Sequence, residues 1–172
     1  HILLEVGLKL LREIHDEPAG GLIQRFHALR RRLQETVGMR LPSIRVRDNL
    51  RLASRSFRVV LDGRMAAGGV VSPAGCTPAV LAEAVEKAIR ENCSVFLTCE
   101  DVADWLESAD VHPAALDDLL ETHTLAEIRL MLVELCRCGA NDSRTGAVVH
   151  AIRVALASSP SDRVAKTLEL LE

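Results

Sequence analysis

Residues 44–50 read IRVRDNL, and this run decides how the first half of the chain is interpreted. Apolar and charged residues alternate from Ile44 to Arg47, with the period of two that is typical of a half-buried strand. Asp48 and Asn49 then interrupt the alternation. The run predicts a strand that ends in an acid and an amide beside arginines. Such an end is either the edge of a catalytic or nucleic-acid site or a tight exit from a sheet.

The sequence around this run predicts a small α/β unit. A short apolar segment near the start is typical of a buried strand, and loop residues follow it. Apolar residues that recur at spacings of three and four then predict a helix, which Gly38 would end in a left-handed cap. Asp62-Gly63 between two extended runs predicts a hairpin, because both turn positions need positive φ. We expect a strand at 2–7, a loop at 16–21, a helix at 22–37, the strand of IRVRDNL and a hairpin over 57–71.

The second half of the chain predicts helices only. Thr77 and Pro78 supply an N-cap and a first helical residue, and Gly139 supplies a stop signal. Two threonines are each followed three residues later by an acid, as in a capping box. These pairs are Thr98 with Asp101, and Thr124 with Glu127. We expect helices at 77–92, from 98 through 106, from Pro113, from 125 to 139, at 143–157 and at 161–171.

Charge divides the chain at a loop rich in proline and glycine. Residues 1–76 carry 13 Lys/Arg and 7 Asp/Glu, whereas residues 77–172 carry 8 and 17. Opposite charge in the two halves indicates two subdomains. The expected class is α+β, with a small α/β subdomain at 1–76 (strand, helix, strand, hairpin) followed by an all-helical subdomain at 77–172.

No motif in the sequence predicts an active site. Glycine-rich phosphate loops are missing, and the six histidines show neither i+4 pairing nor an H-E-x-x-H motif. The five cysteines are odd in number and lack a C-x-x-C pair, which argues against a disulfide framework or a zinc ribbon. No apolar stretch is long enough to span a membrane. We therefore expect no catalytic residue, no cofactor and no metal.

Arginine is unusually frequent in the first half of the chain, and four arginines lie on the polar face of the predicted helix at 22–37. Eleven arginines and three acids lie between residues 25 and 64. Arginines at this density could neutralise nucleic-acid phosphates, but an acidic protein surface would suit them equally well. Aromatic residues that stack on bases are scarce, which makes nucleic acid the weaker alternative. The possible basic interface comprises Arg25, Arg30, Arg31 and Arg32.

Three segments together resemble one family. ILLEVGLKLL, GGLIQRFHALRRRLQETVGMRLPSIRVRDNLRL and FRVVLDGRMAAGGVV are similar to the opening of the cytoplasmic domain of FHIPEP proteins, the FlhA-type export-gate proteins of flagellar and type III secretion. The segment from LTCEDVADWL to GAVVHAI resembles the helical subdomain of that family. IRVRDNL is the most specific part of the resemblance. The family usually has a subdomain inserted near residues 71–77 and a fourth subdomain after the helical one, and neither is recognisable here.

The resemblance implies a non-enzymatic module that docks export substrates, chaperones or other export components and assembles into a homo-oligomeric ring. It implies a cytoplasmic location, as the cytoplasmic part of an inner-membrane protein, and the abrupt start at His1 predicts a fragment of a longer chain. Arg47, Asp48 and Asn49 are its motif residues, either structural or in contact with a partner. Asp48 and Asn49 can bond their own backbone where the strand ends, and Arg47 can pair with an acid. The alternatives are an FHIPEP-like adaptor of a soluble multidomain protein unrelated to secretion, and an arginine-rich nucleic-acid-binding module.

Overall fold

The structure is a computed structural model that describes residues 1–15, 21–74, 77–108, 112–139, 145–156 and 162–171. It confirms the α+β class, since a mixed sheet and helices share the chain. The strands are β1 (Ile2–Val6), β2 (Ile44–Asp48), β3 (Ser56–Leu61) and β4 (Arg64–Val70). The helices are α1 (Leu8–His15), α2 (Gly21–Val37), α3 (Thr77–Glu91), α4 (Cys93–Phe96), α5 (Cys99–Glu107), α6 (Pro113–Thr122), α7 (Leu125–Cys138), α8 (Thr145–Leu156) and α9 (Arg163–Glu169).

The sheet brings together strands that are distant in sequence. Its order is β2-β1-β3-β4, with β1 parallel to β2 and antiparallel to β3. A parallel pair needs a crossover connection, which contains α1 and α2 here. Glu5 on β1 lies directly opposite Arg47 on β2 and Arg58 on β3. Three charged residues therefore form a row across three strands.

The sheet has one fully apolar face. Ile2, Leu4 and Val6 of β1 are 0% exposed, and Val59 of β3 is 0% exposed as well. Successive residues of a strand point to opposite faces, so Glu5 belongs to the other face together with its two arginine neighbours. We call the face that carries Glu5, Arg47 and Arg58 the outer sheet face. Charged residues belong to the outer face because the opposite one is core.

Most turn and cap signals of the sequence are confirmed, but Thr77, predicted as an N-cap, is the first residue of α3 and donates its hydroxyl to Glu13. Asp62 has φ 45° and Gly63 has φ 82°, which is the positive-φ pair predicted for the β3–β4 hairpin. Gly38 ends α2 with φ 74°, and Gly139 ends α7 with φ 84°. Both predicted capping boxes form. In the second, the side chain of Thr124 accepts from the Glu127 amide. The confirmed features depend on near neighbours in sequence.

The described chain clusters into two compact units. The first contains residues 1–29 and 42–92, and the second contains residues 30–41 and 93–172. Helix α3 belongs to the first unit because it contacts β3 and β4. The subdomain boundary at 76/77 stays a prediction, and these units divide the chain differently because α3 packs on the sheet.

The second unit has a helical core. Helix α7 contacts α4, α5 and α9, and α8 contacts α9. Ile128, Leu132 and Cys136 of α7 are 0% exposed, as is Ile152 of α8. Trp105 of α5 donates its indole N–H to the Glu35 carbonyl at 3.2 Å. That bond ties α5 to residues 30–41 within the same unit.

Two of the described helices, α1 and the four-residue α4, were not predicted from the sequence. Helix α1 starts only two residues after β1 ends, and its eight residues give little room for a helical period to appear. Leu10 is its buried contact, at 0% exposure. The predicted loop at 16–21 lies outside the described residues except for Gly21, which begins α2.

A candidate docking groove at the end of strand β2

A buried carboxylate organises the end of β2. Glu5 has a side chain only 3% exposed, although the outer sheet face faces away from the apolar core. Arg47 bonds one of its oxygens through Nη2. Arg58 donates from Nε to the other oxygen at 2.7 Å, and Asn49 donates from Nδ2 to that oxygen at 3.1 Å. The carboxylate is thus fully hydrogen-bonded, as a buried charge must be.

These bonds keep Glu5 ionised. They lower its pKa from 4.5 to about 2, with the Arg47 hydrogen bond as the largest cause. Burial opposes the effect because it disfavours the charged form, and the hydrogen bonds from Arg58 and Asn49 add to it. A negative charge therefore remains at the centre of the arginine pair throughout the physiological range.

Asn49 has three roles at the same point. Its backbone N–H continues the strand ladder to the Val6 carbonyl at 2.9 Å. Its side-chain oxygen accepts from the Arg51 amide at 3.0 Å, and its carbonyl accepts from the Leu52 amide at 3.0 Å. The side-chain acceptance is an Asx-type turn, which ends the strand and fixes the segment that follows. Asparagine suits this position because it offers both a donor and an acceptor.

The turn and the outer sheet face enclose a groove of about 710 Å³. Leu50 on the turn is 76% exposed, and the side chain of Arg47 is 62% exposed. Three arginines and two acids contribute to the lining, so its net charge is positive. The groove is lined by Glu5, Arg47, Asp48, Asn49, Leu50, Arg51, Leu52 and Arg58.

The structure places all three motif residues of the sequence in this groove. Arg47 binds an acid, as its motif position allows, and Asn49 bonds a neighbouring backbone amide. Asp48 is the exposed last residue of β2. Whether a partner uses these residues stays a prediction. Glu5 and Arg58 were missed, since only strand register brings them to Arg47; a lone acid within the apolar run ILLEV was the available signal.

The predicted basic interface lies elsewhere. Its four arginines are on α2, and none of them lines the groove. Arg25 and Arg31 are exposed, whereas Arg30 donates from Nε to the Leu41 carbonyl at 3.1 Å. Arg32 is half-buried and also has an interaction partner. A role for this helix face in binding stays a prediction.

Several arginines of the basic half hold the protein together. Arg40 donates from Nε to Asp101 at 2.6 Å. Arg55 bonds Glu13 and donates from Nε to the Val71 carbonyl at 2.8 Å. Guanidinium groups engaged in this way offer fewer donors to phosphates. The arginine content is therefore weaker support for nucleic-acid binding than the composition indicated.

The described residues include no group of three or more His, Cys, Asp or Glu that could hold a metal ion. Cys93 and Cys136, here called the buried thiol pair, lie in the second unit at 0% exposure. Cys93 donates to the Val133 carbonyl at 3.3 Å, and its hydrogen bond with Cys136 lowers the Cys93 pKa to about 7. Among the described helices, none is long and apolar enough to cross a membrane.

Comparison with known proteins gives a sequence match for part of the chain. Residues 1–77 match the model of the FHIPEP family. The flagellar biosynthesis protein FlhA of Helicobacter pylori is 30% identical over 70 residues, which is 41% of this chain and 10% of that protein. The chain therefore spans about a tenth of the length of this curated relative.

Solved structures match nearly the whole chain. The MxiA protein of Shigella flexneri has a TM-score of 0.69 at 13% identity, over 98% of this chain and 61% of that one. The CdsV protein of Chlamydia pneumoniae has a TM-score of 0.63 at 14% identity, over 99% and 66%. The nonameric SctV-C of EPEC has a TM-score of 0.59 at 12% identity, over 99% and 63%. At these identities the likeness concerns the fold alone. Over residues 1–77 the chain is thus similar to the FHIPEP family, and over nearly all its length it has the fold of MxiA, CdsV and SctV-C.

Proposed function

We propose that this chain is a non-enzymatic docking and oligomerisation module of a type III or flagellar protein-export gate. The observation that carries the proposal is the family match over residues 1–77, in the part of the chain that contains IRVRDNL. The fold likeness to MxiA, CdsV and SctV-C supports the same role for the helical half. Its location would be the cytoplasmic face of an inner membrane.

The chemistry of the groove favours docking over catalysis. Its one buried ionisable group is the Glu5 carboxylate, which is already bonded by two arginines and an asparagine. A general base needs an accessible lone pair and a pKa near the working pH. Glu5 has a pKa of about 2 and hardly any exposed surface, so it organises the groove instead of moving protons.

Other proteins are the partners we propose. One relative has been solved as a complex of CdsV with CdsO, and another as nonameric SctV-C. By analogy we propose a homo-oligomeric ring of this chain, together with export substrates, chaperones or other export components as binding partners. No membrane contact is assigned to the described residues.

An in-frame deletion of residues 1–172 in the bacterium that carries the gene tests the export role. Quantitative mass spectrometry of the culture supernatant, with a protein exported by an unrelated route as the control, is the measurement. We expect one set of exported proteins to fall to background while the control protein is unchanged, and the intact gene to restore them. An unchanged supernatant would overturn the proposal.

Sedimentation equilibrium tests oligomerisation separately. A monomer has a mass of 18.8 kDa, and we expect the measured average mass to rise above that value with concentration. A mass that stays at 18.8 kDa at the highest soluble concentration would remove the oligomerisation part of the proposal for this chain.

A further inference from the structure

We propose that the groove at the end of β2 binds a short acidic segment of a partner protein, with a carboxylate at Arg47 and Arg51 and an apolar side chain against Leu50. The inference deepens the proposed function and rests on it for the existence of a docking partner. It assigns the position on the chain, the chemistry of the segment and the side chains that recognise it.

Charge supplies the first reason. The two acids that line the groove do not cancel its three arginines, and the buried one is already saturated with hydrogen bonds. Arg47 gives one described bond to Glu5, but a guanidinium has five donors and 62% of this side chain is exposed. Arg51 is exposed on the turn beside it. Planar forks of this kind bind carboxylates in pairs of parallel hydrogen bonds.

An apolar anchor supplies the second reason. Leu50 is 76% exposed, although the removal of a leucine side chain from water is favourable. The turn that carries it is held by the Asn49 bonds to Arg51 and Leu52, so its position does not have to be ordered during binding. A preformed site of this kind loses less conformational entropy on association.

The size of the groove indicates a linear segment. Eight residues line it, whereas a stable interface between folded proteins takes about 20–30 residues from each side. A volume of about 710 Å³ is in the range of sites that enclose small ligands or short peptides. A second copy of the chain, approaching as a folded surface, fits these dimensions less well.

Fluorescence anisotropy with a labelled peptide tests the inference on the full chain. The probe is a fluorescein-labelled peptide of Asp and Glu residues around one Leu, and the same peptide with Asn and Gln is its control. We expect saturable binding of the acidic probe that weakens as salt is raised, because salt screens exposed charges. The amide probe should not bind.

Substitutions on the turn give the second readout. We expect Arg51→Glu to weaken probe binding by about tenfold or more, since it replaces an attractive charge by a repulsive one, and Leu50→Ala to weaken it by about threefold. Arg64→Glu makes the same charge change at the exposed start of β4, outside the groove lining, and should leave affinity unchanged within about twofold. Circular dichroism confirms that each variant is folded.

Three outcomes would overturn the inference. They are no binding at millimolar probe, equal loss in Arg51→Glu and Arg64→Glu, and a self-association of the chain that Arg51→Glu abolishes while the probe does not bind. The last outcome would make the groove an interface between copies. If the probe fails to bind but the deletion strain still loses secretion, only the inference about the groove is wrong. If the supernatant of the deletion strain is unchanged, the proposed export role is wrong.

Discussion

Replacement of Glu5 by glutamine removes the charge on which Arg47, Arg58 and Asn49 converge. A glutamine oxygen can accept from one arginine, but its NH2 group then faces the donors that remain. The variant keeps the size of the side chain and loses the ion pairs. We expect it to fold and to be less stable at neutral pH.

The pKa of Glu5 sets the magnitude. A pKa that falls from 4.5 to about 2 on folding corresponds to at most about 3 kcal/mol of stability for the ionised group. The Arg47 and Arg58 side chains are 62% and 38% exposed, so water and salt screen both pairs. We therefore expect Glu5→Gln to lower the free energy of unfolding by about 1–2 kcal/mol.

The pH dependence identifies the cause. A carboxyl whose pKa is depressed in the folded state stabilises the protein above its unfolded pKa of 4.5, and this stabilisation is lost as the pH falls toward about 2. The difference between wild type and Glu5→Gln should be constant above pH 4.5 and should shrink below it.

Urea unfolding followed by circular dichroism across this pH range measures the difference. Glu121→Gln, a charge removal at an exposed position on α6, is the matched control and should change stability by less than about 0.5 kcal/mol. A Glu5→Gln variant as stable as the control at neutral pH, or a difference that persists unchanged at the lowest pH, would refute the reasoning.

Three further predictions concern individual positions. Gly38→Ala should lower the free energy of unfolding by more than about 2 kcal/mol, because φ is 74° and the new Cβ would lie 2.5 Å from Cβ of Trp105. Gly63→Ala has a similar φ of 82° but open space around it, so it should lose only about 1 kcal/mol in the same urea titration; equal losses would contradict the steric argument. Thr124→Ala should lower the free energy of unfolding by about 1 kcal/mol and Thr124→Ser should not, as measured by thermal unfolding, and equal effects would exclude the capping hydroxyl as the cause. The buried thiol pair should resist iodoacetamide until the chain unfolds, whereas the exposed cysteines that begin α5 and end α7 should react in the folded protein. Mass spectrometry of labelled peptides measures the alkylation rate of each cysteine, and equal rates for buried and exposed cysteines would contradict the assignment of burial.

Local signals in the sequence predicted local structure correctly. Asp62 and Gly63 form the hairpin turn, and Thr124 with Glu127 forms a capping box. Gly38 ends its helix in the left-handed region. In each case the partners are at most four residues apart, so the backbone conformation follows from the residues themselves.

The centre of the groove could not be predicted in the same way. Glu5 lies 42 residues from Arg47 and 53 from Arg58, and their contact depends on the register of two strand pairings. Leu50 looked like an ordinary apolar residue until the structure placed it on an exposed turn. The family resemblance identified Arg47, Asp48 and Asn49, but residue patterns alone do not give the pairing of distant strands.

The charged row across the sheet has a consequence for how the strands find each other. A shift of one residue in the pairing of β1 with β2 would set Glu5 against Val46 or Asp48 instead of Arg47. It would also exchange the two faces of the shifted strand and bring charged residues toward the core. Misaligned chains would therefore bury an unmatched charge, which penalises them during folding. The carboxylate that shapes the groove thus also selects the correct alignment of strands that are far apart in sequence.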